Sequence, residues 1–197
     1  AYTYLFRGKV FANAQTGNIV LLSANLMDGN WGRAVHYLVP LCAFALGVLT
    51  AEKMRERFRD MQRLHWRQLV VLGEVLLLFL VGFLPPALDL LANAIVSFSC
   101  AMQVQAFRAL EGNAFATTMC TGNLRSATER LCRYAAQRRR EDLRAGLQYA
   151  GILLFFVAGA AGGTLLGRLL GVRAALAGCV LLAAAFVLLF AEEREEA

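Results

Sequence analysis

Five apolar blocks, each close to the length of one membrane crossing, dominate this 197-residue chain: Val35–Ala51, Leu69–Leu84, Leu88–Phe107, Leu147–Leu166 and Ala174–Ala191. A helix needs roughly 20 predominantly apolar residues to cross the hydrocarbon core of a bilayer. Composition agrees: 58% of the residues are hydrophobic and 17% are charged, where a soluble domain carries about 25% charged residues. Mean hydropathy is +0.53. The expectation is an all-α membrane protein whose partner is the lipid bilayer.

The net charge is +6 and the isoelectric point about 9.4. The basic residues fall between the apolar blocks and are not interleaved with stacking aromatics. They read as cytoplasmic loops of a membrane protein, and no nucleic acid partner is expected. Cys42, Cys100, Cys120, Cys132 and Cys179 are scattered without C-x-x-C spacing, and the two histidines, His36 and His65, lie far apart. Such a pattern implies no metal, no cofactor and no disulfide framework. Nor is there a Ser/His/Asp grouping, a phosphate loop or a pair of carboxylates in register, so an enzyme is not expected. The chain opens at Ala1 without a signal-peptide pattern, and its start reads as the continuation of something longer.

A polar string occurs twice in this apolar setting. The first copy is Phe11-Ala-Asn-Ala-Gln-Thr-Gly-Asn18 and the second Phe115-Ala-Thr-Thr-Met-Cys-Thr-Gly-Asn123, with the two Thr-Gly-Asn triplets 105 positions apart. The same offset pairs Tyr2 with Phe107, Leu5 with Leu110, and Gly73-Glu-Val-Leu-Leu77 with Gly178-Cys-Val-Leu-Leu182. Between these, an offset of 112 pairs Tyr37 with Tyr149, Leu41 with Leu153, Phe44 with Phe156 and Gly47 with Gly159. Matches in one order across three elements indicate a duplication: residues 1–84 as a first repeat, 85–191 as a second, and 192–197 as an acidic tail. The helix Leu88–Phe107 leads into the second string, so an equivalent helix is expected to precede Ala1.

Charge decides whether the string segments cross the bilayer. Val10–Met27 is apolar enough to do so, but Ala114–Leu131 carries Arg125, Glu129 and Arg130, and a bilayer-centre Arg costs about 2.5–3.5 kcal/mol on insertion scales. If neither copy crosses, the basic residues divide 15 to 5 between the two sides; if both cross, 11 to 9. The positive-inside rule favours the first arrangement. Each repeat then holds three transmembrane helices plus a short broken or re-entrant helix. An odd number of crossings makes the repeat inverted, a plan shared by many transporters.

The Gly within each Thr-Gly-Asn triplet reads as a break in the helix. In one reading Asn13, Gln15, Thr16, Asn18, Thr117, Thr118, Thr121 and Asn123 line a polar substrate site, because irregular backbone at membrane depth is tolerated where it lines a cavity. In the other, they cap helices and bind neighbouring helices by hydrogen bonds. Gln103 and Gln105, just before the second string, either extend that site or bond nearby backbone. Glu74 is the one acid well inside an apolar block; it is a candidate for proton coupling or a near-surface partner for an Arg. The glycines from Gly159 to Gly167 read as close helix packing, and Arg138-Arg-Arg140 as a solvated loop touching anionic lipid.

The Ala1-Tyr-Thr-Tyr start, the first string, Met102-Gln-Val-Gln-Ala106 and Thr118-Met-Cys-Thr-Gly-Asn123 together resemble the YoaK-like family of bacterial inner-membrane proteins, a domain of unknown function. The resemblance covers essentially the whole chain and implies a multi-pass protein of the bacterial inner membrane. It supplies no substrate. In that family a Gly-Tyr-Val-Asp-like helix end precedes the position of Ala1. Its absence here fits the expected missing helix and takes an acidic residue away from any polar site.

The expected function is a small transporter or channel-like permease for a small neutral or weakly anionic solute, with a homodimer plausible at this size. The alternative is a structural or regulatory membrane protein that transports nothing.

Overall fold

Four helical stretches in the computed structural model are long and apolar enough to cross a membrane: Trp31–Phe58, Trp66–Phe83, Pro86–Ala106 and Arg140–Leu188. The backbone is described for residues 1–58, 66–107, 109–110, 113–114 and 120–196, and the side chains for the same residues except 109–110, 113–114 and 189–196. In chain order the helices are α1 (Tyr2–Phe6), α2 (Gln15–Met27), α3 (Trp31–Phe58), α4 (Trp66–Phe83), α5 (Asp89–Ala106), α6 (Cys120–Gln137), α7 (Arg140–Leu170) and α8 (Ala175–Glu196). A two-residue antiparallel ladder, Ala109–Leu110 with Asn113–Ala114, lies before α6. The described residues are otherwise helices and turns.

The fourth apolar stretch, 49 residues, is two helices. A 3-10 turn at Gly171–Ala174 separates α7 from α8, and Gly171 enters it at φ +58°, where a side chain would be strained. Pro85 and Pro86 separate α4 from α5 in the same manner, leading into a 3-10 turn at Pro86–Leu88. Neither proline could donate a helical hydrogen bond. The helix α2, with 13 residues, is roughly 20 Å long at 1.5 Å per residue, too short to cross a bilayer. α6 begins at Cys120, within the second polar string, and carries Arg125, Arg130 and Arg133. Neither α2 nor α6 is among the stretches able to cross.

Two compact units divide the chain. The first comprises Ala1–Ala106 and Gly163–Ala197; the second is Phe107–Gly162. In the first unit α3 packs against α2 and α5, and α4 against α5 and α8. α3 and α5 run in the same direction: Gly47 sits against Phe98 and Ala101, and further on Glu52 accepts a hydrogen bond from Gln105. The approach at Gly47 is backbone to backbone, since a Cβ there would overlap the Phe98 carbonyl oxygen and lie 2.8 Å from the Ala101 Cβ. α4 and α8 run antiparallel. Gly82 makes room for Leu176, Leu78 reaches Gly178, and the Cys179 thiol lies 3.6 Å from the Val75 carbonyl.

In the second unit, Gly146 of α7 makes room for Leu131 of α6. Arg130 pairs with the buried Asp142 at 2.9 Å, and Arg133 with Glu129 one turn earlier. The α6–α7 turn contains Arg138 at φ +55°.

Candidate functional site

The polar residues of the first string gather where the helix is interrupted, and the interruption falls before the triplet. Helix α1 ends at Phe6, Gly8 and Lys9 adopt left-handed backbone (φ +80° and +64°), and α2 starts at Gln15. Thr16, Gly17 and Asn18 therefore form the first turn of α2, and the expected break at Gly17 is corrected to Arg7–Ala14. Gly17 serves packing instead. The Phe11 ring stacks on Tyr4 with centroids 4.2 Å apart, and a Cβ at Gly17 would lie 3.1 Å from that ring. The second triplet occupies the equivalent place: Thr121, Gly122 and Asn123 open α6, directly after its first residue, Cys120.

Asn18 is fully buried and clamps the loop. Its Nδ2 donates to the Phe11 carbonyl at 2.7 Å and to Gln15 Oε1 at 2.9 Å, while its Oδ1 accepts from the Phe11 amide at 3.2 Å. Gln15 in turn donates to the Ala12 carbonyl at 2.8 Å and to Ser97 Oγ at 3.4 Å. The amide hydrogens of both side chains are committed within the protein, as buried polar groups require.

α5 supplies the other half of the cluster through residues that sequence reasoning missed. Asp89, Asn93 and Ser97 recur every four residues, which places them on one face of the helix. Ser97 Oγ donates to the Ala12 carbonyl at 2.6 Å, and Asn93 Nδ2 donates to the Arg7 carbonyl at 2.7 Å. Asp89 accepts from Arg7 Nη1 at 3.0 Å. Arg7 is also fully buried; its Nη2 donates to the Val81 carbonyl at 2.9 Å and its Nε to the Tyr2 hydroxyl at 2.9 Å. Tyr2 passes a hydrogen bond to the Val172 carbonyl at 2.6 Å. Burial pushes the Tyr2 phenol above its ordinary pKa, with the Arg7 hydrogen bond pulling the other way, so it stays neutral and able to donate. The interval-of-four pattern inside Leu88–Phe107 was the available signal for this face.

Two buried acceptors in this unit have no hydrogen-bond donor among the described residues: Asn93 Oδ1 and Glu74 Oε2. Glu74 is 1% exposed. A buried unpaired acceptor costs about 1–3 kcal/mol, so each is a place where a water or a solute donor would be favoured.

The remaining predicted site residues lie elsewhere. Asn13 is half-buried and Thr16 exposed, both beside the clamp. Gln105 donates to Glu52 of α3; eight residues beyond Ser97, it is about 12 Å further along α5, so it does not join the string cluster. Gln103, on the same stretch, is half-buried. Thr121 is exposed and Asn123 buried, both in the second unit. Thr117 and Thr118 lie outside the described residues, as does His65. Among the described residues no group of three or more His, Cys, Asp or Glu could hold a metal ion.

No curated protein and no solved structure matches the chain. Residues 1–188 match the family described as "Protein of unknown function (DUF1275)", in line with the YoaK-like resemblance, and the chain belongs to that family.

Proposed function

We propose that this protein is a multi-pass permease of the bacterial inner membrane, passing a small neutral or weakly anionic solute along the polar face of α5. One observation carries the reading: Asn93 Oδ1 and Glu74 Oε2 are buried acceptors without donors, in a unit where irregular backbone runs between apolar helices. Non-helical backbone at membrane depth is a recurrent property of transporter sites. Glu74 is the candidate proton carrier, since a carboxyl without a partner in an apolar span gains by binding a proton.

An inverted repeat of three crossings per copy is part of the proposal. It is supported by the like placement of the two Thr-Gly-Asn triplets, each in the first turn of a helix. It is also supported by the antiparallel contact of α4 with α8, the two helices that the duplication pairs. The bilayer is the expected partner and a homodimer the expected assembly. We expect no enzymatic activity.

The second reading, a structural or regulatory protein, is favoured by a different observation: the side-chain amides of Asn18 and Gln15 are spent on internal hydrogen bonds. Proteoliposome flux separates the two. Vesicles holding the protein are challenged with small neutral solutes and with weak acids, using wild type, Glu74→Gln and Asn93→Ala. Permeation above that of empty vesicles, lost in either variant with folding intact, supports a permease. Permeation equal to that of empty vesicles across the panel, or indifferent to both substitutions, leaves the structural reading.

A further inference from the structure

A second feature of the first unit, apart from the α5 face and independent of the permease reading, is a cavity of about 410 Å³ lined by Gly8, Lys9, Gly32, Arg33, His36 and Tyr37. We propose that it binds a phosphate group.

The lining is cationic and lacks a carboxylate. Lys9, Arg33, His36 and Tyr37 all contribute to the lining, and among the described residues neither Lys9 nor Arg33 is paired with an acid. Asp89 has one carboxylate oxygen committed to Arg7, and the other would lie 4.0 Å from a Cβ on Gly8. The hollow also lies at the start of α3, a 28-residue helix whose first turn holds Gly32 and Arg33. A helix N-terminus carries partial positive charge and unsatisfied N–H groups, so a cation placed there is unfavourable unless an anion joins it. Helix N-terminus, Arg33 and Lys9 together break the usual rule of charge placement in a consistent direction, and an anion resolves the conflict.

The backbone is shaped for the same hollow. Gly8 and Lys9 both sit in the left-handed region, which Lys rarely adopts. Gly8 is held against α3: His36 Nε2 donates to its carbonyl at 3.3 Å, and a Cβ on Gly8 would stand 3.0 Å from that nitrogen. The strained turn sets Lys9 on the wall, with its ammonium 5.1 Å from the Tyr4 ring centroid. Strain of this kind gathers at ligand clamps.

Phosphate fits better than carboxylate. A planar carboxylate is satisfied by one guanidinium fork, whereas donors arriving from a Lys, an Arg, a Tyr and a helix end suit a tetrahedral oxyanion. The volume falls in the range of small-ligand sites, about 300–1,000 Å³. Trp31, 69% exposed, precedes Gly32 at the head of a membrane-length helix, the level at which aromatic anchors and lipid headgroups meet. The phosphate is therefore either that of an anionic lipid or a free anion.

The test uses the full chain purified in detergent, with two probes. Inorganic phosphate is titrated calorimetrically at low salt, and phosphatidylglycerol retention is compared with phosphatidylcholine retention by native mass spectrometry. The variants are Arg33→Gln, which alters an exposed side chain, and Lys9→Gly, which suits the left-handed turn and so preserves folding; Arg139→Gln is the control. At least one probe is expected to bind, about tenfold more weakly in each variant and roughly a hundredfold in the double variant, with the control unchanged. Phosphate binding without lipid preference identifies a free anion, and selective phosphatidylglycerol retention identifies a headgroup; either supports the site. Absence of binding by both probes, or binding indifferent to Lys9 and Arg33, overturns it.

Discussion

Replacing Arg7 measures how firmly the interrupted segment is held to the helices around it. The side chain is fully buried, with a 3.0 Å ion pair to Asp89 and further bonds to the Val81 carbonyl and the Tyr2 hydroxyl. Breaking a buried pair by removing one partner costs about 3–5 kcal/mol, because the other group is left without compensation. Asp89 is 22% exposed at its side chain, so water offsets part of the loss, and Arg7→Met is expected to cost about 3 kcal/mol. Asp89→Asn keeps an acceptor in place but leaves a buried guanidinium without a counter-charge, for a loss of about 2–4 kcal/mol. In the double variant Arg7→Met with Asp89→Leu neither charge is stranded. It should recover most of the deficit, giving a coupling energy of about 2 kcal/mol. The assay is reversible unfolding in mixed micelles with increasing dodecyl sulfate, followed by the fluorescence of Trp66, which is buried in α4. If Arg7→Met stays within 1 kcal/mol of wild type, or the double variant is as damaged as the two single losses added together, the ion pair does not hold this segment.

The contact at Gly47 gives a second prediction in the same assay. Gly47→Ala should lose roughly 2 kcal/mol or more despite its better helix propensity, whereas Gly32→Ala, with nothing within 4 Å, should be neutral or slightly stabilising. Asn18→Ala removes three hydrogen bonds made by a fully buried side chain; a loss of about 2–3 kcal/mol, with faster hydrogen exchange at the Phe11 amide, is expected. For topology, Cys132 on α6 and Cys42 on α3 are both exposed in the structure. An impermeant maleimide should label Cys132 from the cytoplasmic side alone and leave Cys42, in the apolar part of a membrane-length helix, unmodified; labelling of Cys132 from outside would refute the three-crossing repeat.

The long helices were legible because hydropathy reports them directly. Val35–Ala51, Leu69–Leu84 and Leu88–Phe107 correspond to α3, α4 and α5. α3 runs on to Phe58 through Glu52, Lys53 and Arg55, a charged extension that hydropathy cannot see although it is good helix-forming sequence. The location of the break was misread. Gly17 looked like a breaker, yet a glycine in a first helical turn follows the helix when a ring needs its space, as Phe11 does. The true interruption, at Gly8 and Lys9, depends on a left-handed Lys held by contacts distant in sequence. For the same reason the role of Arg7 was not legible: its partner Asp89 lies 82 positions away, and no local pattern records such a distance. Asp89, Asn93 and Ser97 were visible as an interval of four, but dispersed among apolar neighbours they carried little weight until the segment they bind was in place.

The passing of α3 and α5 at Gly47 also limits how this protein can move. Two helices that meet through side chains can slide by exchanging rotamers. Two that meet through backbone have nothing to exchange. α3 and α5 must therefore travel as one lever, with the Arg7 segment fastened to it through Asp89, Asn93 and Ser97. Any rocking within this unit has to be taken up at its ends, in the proline-led turn at Pro86–Leu88 and the glycine-led turn at Gly171–Ala174.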